Sequence, residues 1–192
     1  MKKALIVYHS GYGHTAKVAS ILLEAMRASP HDLTVDSWTT AEAREKINEI
    51  EHYDMIIFGS PTYMGNVSAE FQAFTEASSR VWFEQKWRNK LAAGFTNSGS
   101  LSGDKLQSLL RMVVFASQHG MIWVSQGLPS PQANDRFGPS PDTSNRVGSY
   151  VGLMTLSDNA PPEEALSPGD QETTRAFGRR LADCLASWNG VA

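Results

Sequence analysis

A chain of 192 residues, 41% hydrophobic and 19% charged, has the apolar material for one domain with a sizeable core and is not a disordered polymer. Its formal charge of −3, from 17 basic and 20 acidic side chains, excludes the basic surface that nucleic acid or an anionic membrane would select. A single cysteine, Cys184, excludes an internal disulfide and a cysteine-based metal site, and no apolar run reaches signal or membrane-spanning length. The expectation is one cytoplasmic domain over 1–192, with no membrane, nucleic-acid or metal partner.

The chain opens on the stretch 4–15, ALIVYHSGYGHT, in which apolar residues Ala4 to Tyr8 run into a polar turn. Val18, Ile21, Leu22 and Ala25 then recur at helical spacing, so a buried strand feeds a glycine-containing turn at a helix N-terminus. Such a turn binds anions, because the first helical N–H groups lack intrahelical partners and the dipole is positive there. Gly11 and Gly13 admit close backbone approach, and Ser10 and Thr15 add hydroxyls. Two occupants fit. Gly11, Gly13 and Ala16 match the dinucleotide pattern G-x-G-x-x-A, with Asp36 downstream as the ribose partner. A monophosphate loop of flavodoxin type is the other.

The helix is expected to stop near Ser29-Pro30. Leu33 to Trp38 alternates as a strand near the sheet edge, and Thr39 with Glu42 has capping-box spacing for a short helix over about 41–51. The run 54–59, DMIIFG, is a buried strand, followed by the loop Ser60 to Asn66 and a helix over about 68–78 with Phe71 and Phe74 on one face. The aromatic-rich segment 80–89 either packs on the domain edge or walls a cofactor. Leu91 to Phe95 is a fourth strand, followed by the loop Thr96 to Gly103. Leu106, Leu109, Leu110, Val113 and Val114 mark a helix stripe, and Met121 to Val124 is a fifth strand. Seven of the nine prolines then fall between Pro129 and Pro168, in a long irregular loop over about 126–167 that holds one possible strand, 150–156. Ser167-Pro168 caps a last helix, whose buried face carries Phe177, Leu181, Cys184, Leu185 and Trp188.

Alternating strands and helices imply an α/β fold, a five-stranded parallel sheet covered on both faces. Ligands in such sheets bind beyond the carboxyl ends of the strands, where three small, polar loops fall. In the second of them, Pro61 and Gly65 shape a backbone that presents edge-on donors and acceptors, with Thr62 and Asn66 beside it. A flat heterocycle uses all three loops. A dinucleotide needs a second half-fold that the remaining chain does not provide, so flavin mononucleotide (FMN) is favoured.

The motifs 8–15 (YHSGYGHT), 56–66 (IIFGSPTYMGN), 90–92 (KLA) and 119–121 (HGM) together resemble the flavodoxin-like fold and, within it, the WrbA-type NAD(P)H:quinone oxidoreductases. The resemblance implies a doubly wound sheet in the order 2-1-3-4-5 and one FMN per chain. It places the phosphate on Ser10, Gly11, Tyr12, Gly13, His14 and Thr15. The ring falls on Pro61, Thr62, Tyr63, Met64, Gly65 and Asn66, its other edge on Asn97, Ser98, Gly99 and Ser100. It sets Trp82 near the ring and His119 on the substrate side as the catalytic residue, and it implies a homo-oligomer, dimer or tetramer. Tyr63 stands where the family often has arginine, and the third loop carries less glycine and threonine than is usual there. The expected reaction passes electrons from NADH or NADPH to a quinone-like acceptor. An electron-shuttling flavodoxin is the alternative, and the modest charge argues against the acidic docking face of such carriers.

Overall fold

A computed structural model describes residues 1–131 and 138–190, so positions 132–137 of the expected long loop lie outside the described residues. The elements follow the expected order: β1 (Lys2–Tyr8), α1 (His14–Arg27), β2 (Leu33–Thr39), α2 (Thr40–Glu45), β3 (Met55–Tyr63) and β4 (Asn66–Val67). After them come α3 (Ala69–Ala77), α4 (Ser79–Phe83), β5 (Leu91–Ser98), α5 (Lys105–Gln118), β6 (Ile122–Trp123), β7 (Leu153–Leu156) and α6 (Pro168–Ser187). Helix α2 is shorter than expected and gives way to a 3₁₀ turn, Glu49–His52. Its start is the predicted capping box, with Thr39 N–H donating to Glu42 Oε2 at 2.7 Å and Glu42 N–H to Thr39 Oγ1 at 3.3 Å.

The main sheet is parallel and runs β2-β1-β3-β5-β6, the doubly wound flavodoxin-like order once the two-residue hairpin strand β4 is set aside. The fifth strand is split. β6 pairs with the start of β5, Leu91 to Ile122 and Ala92 to Trp123, and β7 pairs with its end, Phe95 to Leu153 through Ser98 to Leu156. The irregular segment up to residue 152 is thus an insertion between the halves of one strand, and its remainder after β7 leads to α6.

Alternating side chains of each strand feed two cores. Ala4, Ile6, Met55 and Ile57 pack under α1 and α6, whereas Leu5, Val7, Ile56 and Phe58 pack under α3 and α5. The stripe expected on α5 is corrected. Leu109, Met112, Phe115 and Ala116 are buried, while Leu106, Leu110 and Val114 are exposed. Among the described residues no helix is long and apolar enough to cross a membrane.

Candidate functional site

A cavity of about 510 Å³ opens beyond the carboxyl ends of β1, β3, β5 and β7. Ser10, Gly11, Tyr12, His14 and Thr15 line it from the first loop, Pro61 and Tyr63 from the second, and Asn97, Ser98 and Gly99 from the third. A fourth wall, Ser157 to Ala160, follows β7. No periodicity marked that wall, but the rule that found the other three applies to it, since it is the polar loop after a strand.

The turn is built to receive an anion. Helix α1 starts after Gly13, which has no side chain to cap it, so in its first turn only Ala16 N–H is taken by a side chain, Ser10. Ser10 Oγ accepts from Ala16 N–H at 3.1 Å, which leaves its own proton to donate. Gly13 holds φ at +89°, a left-handed value that a side chain resists, and a Cβ there would sit 2.6 Å from Pro162 Cγ. Gly13 therefore admits the close approach of Pro162, just beyond the fourth wall.

A chain of neutral hydrogen bonds locks three walls together. Thr155 Oγ1 donates to Asn97 Oδ1 at 2.8 Å, and Asn97 Nδ2 donates to Ser157 Oγ at 2.8 Å. Ser157 Oγ and His14 Nδ1 are 3.3 Å apart, and His14 Nε2 lies 2.9 Å from the Ala160 carbonyl. A carbonyl only accepts, so Nε2 carries a proton, and in the neutral imidazole Nδ1 accepts from Ser157. His14 is thus a latch between the phosphate loop and the fourth wall, and the Asn97 amide is committed to the walls.

The aromatic rim is open. Tyr12 is 79% and Tyr63 40% exposed, and their rings meet edge to face at 6.4 Å. A Cβ on Gly11 would lie 2.5 Å from the Tyr63 hydroxyl, so Tyr63 reaches across to the first loop. Burial, then the neighbouring Tyr12, raises the Tyr63 phenol pKa, keeping it protonated as a donor.

Several expected contacts are not made by the side chains. Thr62 Oγ1 meets Thr96 Oγ1 at 2.7 Å and donates to Ser108 Oγ at 2.8 Å, inside the sheet–helix interface. Met64 is fully exposed, Asn66 Oδ1 accepts from Val67 N–H, and Gly65 and Ser100 do not line the cavity.

His119 and Trp82 do not join this cavity within the chain. Both border a separate cavity of about 220 Å³ with Ser78, Arg111 and Phe115. His119 follows α5 and precedes β6, whose Ile122 pairs with Leu91 at the start of β5, whereas Asn97 and Ser98 stand at its far end. Six residues of strand put these ends about 20 Å apart. His119 is 1% exposed, stacks on buried Trp87 at 4.3 Å, and has Nε2 3.0 Å from Ser78 Oγ. Burial lowers its pKa to about 4, so it is neutral at pH 7. The aromatic segment divides: Trp87 is core, and Trp82 is 45% exposed.

The dinucleotide reading also closes. Asp36 lies inside β2 and accepts from the Tyr53 hydroxyl at 2.8 Å, so its carboxylate serves the fold. Lys90 of the third family motif donates to the Glu51 and Tyr53 carbonyls, each at 2.7 Å, away from the cavity.

The comparisons agree with this geometry. Residues 8–135 match the family model described as NADPH-dependent FMN reductase. The chain belongs to that family. It is 41% identical to "Flavodoxin FldP" of Pseudomonas aeruginosa, over 95% of this chain and 96% of the relative. It is 28% identical to an "NAD(P)H dehydrogenase (quinone)" of Archaeoglobus fulgidus, over 95% and 97%. A crystal structure described as the flavodoxin, WrbA-like protein from Agrobacterium tumefaciens superposes with a TM-score of 0.72 at 35% identity, covering 96% of this chain and 98% of that one. Family and donor set agree on FMN as the cofactor. The capless helix start and the Ser10 and Thr15 hydroxyls suit a phosphate dianion, and the tyrosine rim suits a flat ring.

Proposed function

We propose that this protein is a cytoplasmic FMN-dependent oxidoreductase that passes two electrons from NADH or NADPH to a quinone or similarly flat acceptor. The observation carrying this reading is the open tyrosine rim beside an anion-binding turn. It leaves a flat second ring, nicotinamide or quinone, a path to one face of the cavity. Bound FMN supplies the redox chemistry. The α1 N-terminus with Ser10 and Thr15 holds the phosphate, each charge-assisted hydrogen bond contributing about 1.5–3 kcal/mol. Pro61 and Tyr63 border the ring side, and the Asn97–Ser157–His14 relay keeps the walls from relaxing into it. One face serving donor and acceptor in turn predicts ping-pong kinetics.

A second reading, an electron carrier reduced by another protein, is favoured by the 41% identical relative named a flavodoxin. Steady-state oxidation of NADPH and NADH with benzoquinone separates the two. Turnover by the holoprotein alone supports the enzyme, and turnover only with an added reductase supports the carrier.

The exposed Leu106, Leu110 and Val114 on α5 support a homo-oligomer, dimer or tetramer, which light scattering on the eluted peak tests. In such an assembly half-exposed Trp82 meets a neighbouring copy, while buried His119 stays behind Trp87 and Phe115.

A further inference from the structure

Two of the cavity walls rest on a buried charge cluster. Lys105 opens α5 with 0% exposure, and its ammonium donates to the carbonyls of Ser100 and, at 3.2 Å, Leu101. A cation in the first turn opposes the helix dipole, and burying it removes its hydration. Across from it Asp170, also 0% exposed, sits in the first turn of α6. Its Oδ2 accepts from Arg146 Nη2 at 2.8 Å and from Leu156 N–H at 3.3 Å. Its Oδ1 has no hydrogen-bond partner among the described residues. Leu156 ends β7, and the next residue, Ser157, lines the cavity. Lys105 therefore ties the loop after β5, and Asp170 ties the loop after β7. Burial lowers the Lys105 pKa to about 8, with Asp170 opposing that shift and Arg146 adding to it. Two cations against one carboxylate leave net positive charge behind the walls.

We propose that Lys105, Arg146 and Asp170 form a buried electrostatic clamp that fixes these two loops and biases bound FMN toward its reduced, more anionic state. Lys105 is a positioning residue: it touches the loop backbone, and its own burial keeps water from screening its charge at close range. Reduction adds negative charge to the ring, so a buried positive field favours the reduced form over the oxidised one. A cation set against its helix dipole is a local conflict of the kind found at functional sites.

The proposal rests on FMN occupying the cavity. The test is spectroelectrochemical titration of FMN bound to the wild-type holoprotein and to Lys105→Met, Arg146→Met and Asp170→Asn, with the melting temperature of each flavin-free chain. Both cation variants are expected to lower the midpoint potential and Asp170→Asn to raise it. A tenfold selective loss of reduced-FMN affinity corresponds to about 30 mV for a two-electron couple. Lys105→Arg is expected to restore the wild-type value. Where a variant sheds flavin, the ratio of its oxidised and reduced FMN dissociation constants, measured at excess flavin, gives the same quantity. Loosened loops alone would shift cation and anion variants in the same direction, so same-sign shifts, or none, overturn the clamp. A wild-type chain that binds no FMN overturns the earlier reading instead.

Discussion

Two histidines stand at opposite ends of one sheet, and their surroundings separate a working cavity from a packed core. At the carboxyl end His14 divides its ring between Ser157 and the Ala160 carbonyl, at the edge of an open cavity. At the amino end His119 is shut between Trp87 and Phe115, with Nδ1 lacking a partner among the described residues. The first joins loops that must stay apart for a ligand. The second fills a core and gives up its proton to do so. The family resemblance favoured His119 as the chemical group, whereas within this chain burial and strand direction set it at the far end of the sheet from the cavity.

The comparison breaks most visibly at Gly13. Gly13→Val forces a β-branched side chain into φ +89° and against Pro162. Backbone strain and overpacking each cost about 1–3 kcal/mol. FMN affinity measured by fluorescence quenching is expected to fall at least about tenfold while far-UV circular dichroism stays native. Unchanged affinity would remove the turn and its fourth wall from the site.

At the other end the handle is pH. The folded His119 pKa of about 4 lies below the usual 6.5, so the unfolded chain binds the proton first as pH falls. Stability present above about pH 6.5 is then lost toward pH 4, by up to about 3 kcal/mol from this group. His119→Gln is expected to flatten urea-derived stability across that window and to leave the visible spectrum of bound FMN unchanged. A changed flavin spectrum would return His119 to the site.

Asn97→Ala is a smaller break. It strands Thr155 and Ser157, at about 1–3 kcal/mol, and frees the fourth wall. Faster FMN dissociation is expected, and His14→Ala should act in the same direction with less effect. Additive rather than overlapping losses in the double variant would show that the two side chains do not form one relay. The mildest change is Leu110→Lys on exposed α5, expected to move monomer stability by no more than about 0.5 kcal/mol.

Element order and the first three walls were legible in the sequence, because buried parallel strands leave unbroken apolar runs that end in small polar loops. Ser10, Thr15 and Pro61 follow from that alone. The face of α5 was not legible. Apolar residues from Leu106 to Ala116 occur on nearly every side of that helix, so its period fits more than one stripe. Both halves of the fifth strand were signalled, at 121–124 and 150–156, but that they extend one another was not, because only the long pairing edge of β5 aligns them. Lys105 and Asp170 carry no local mark, because their burial is set by loops remote in sequence.

The central claim is that nicotinamide reduces a flavin held in this cavity without a helper protein. Anaerobic addition of NADPH or NADH to the purified yellow holoprotein tests it most directly, read as bleaching of the flavin band before and after benzoquinone. The account predicts bleaching by at least one nicotinamide and recovery of the band on adding the quinone. A band that dithionite bleaches but neither nicotinamide touches would contradict it and leave an electron carrier.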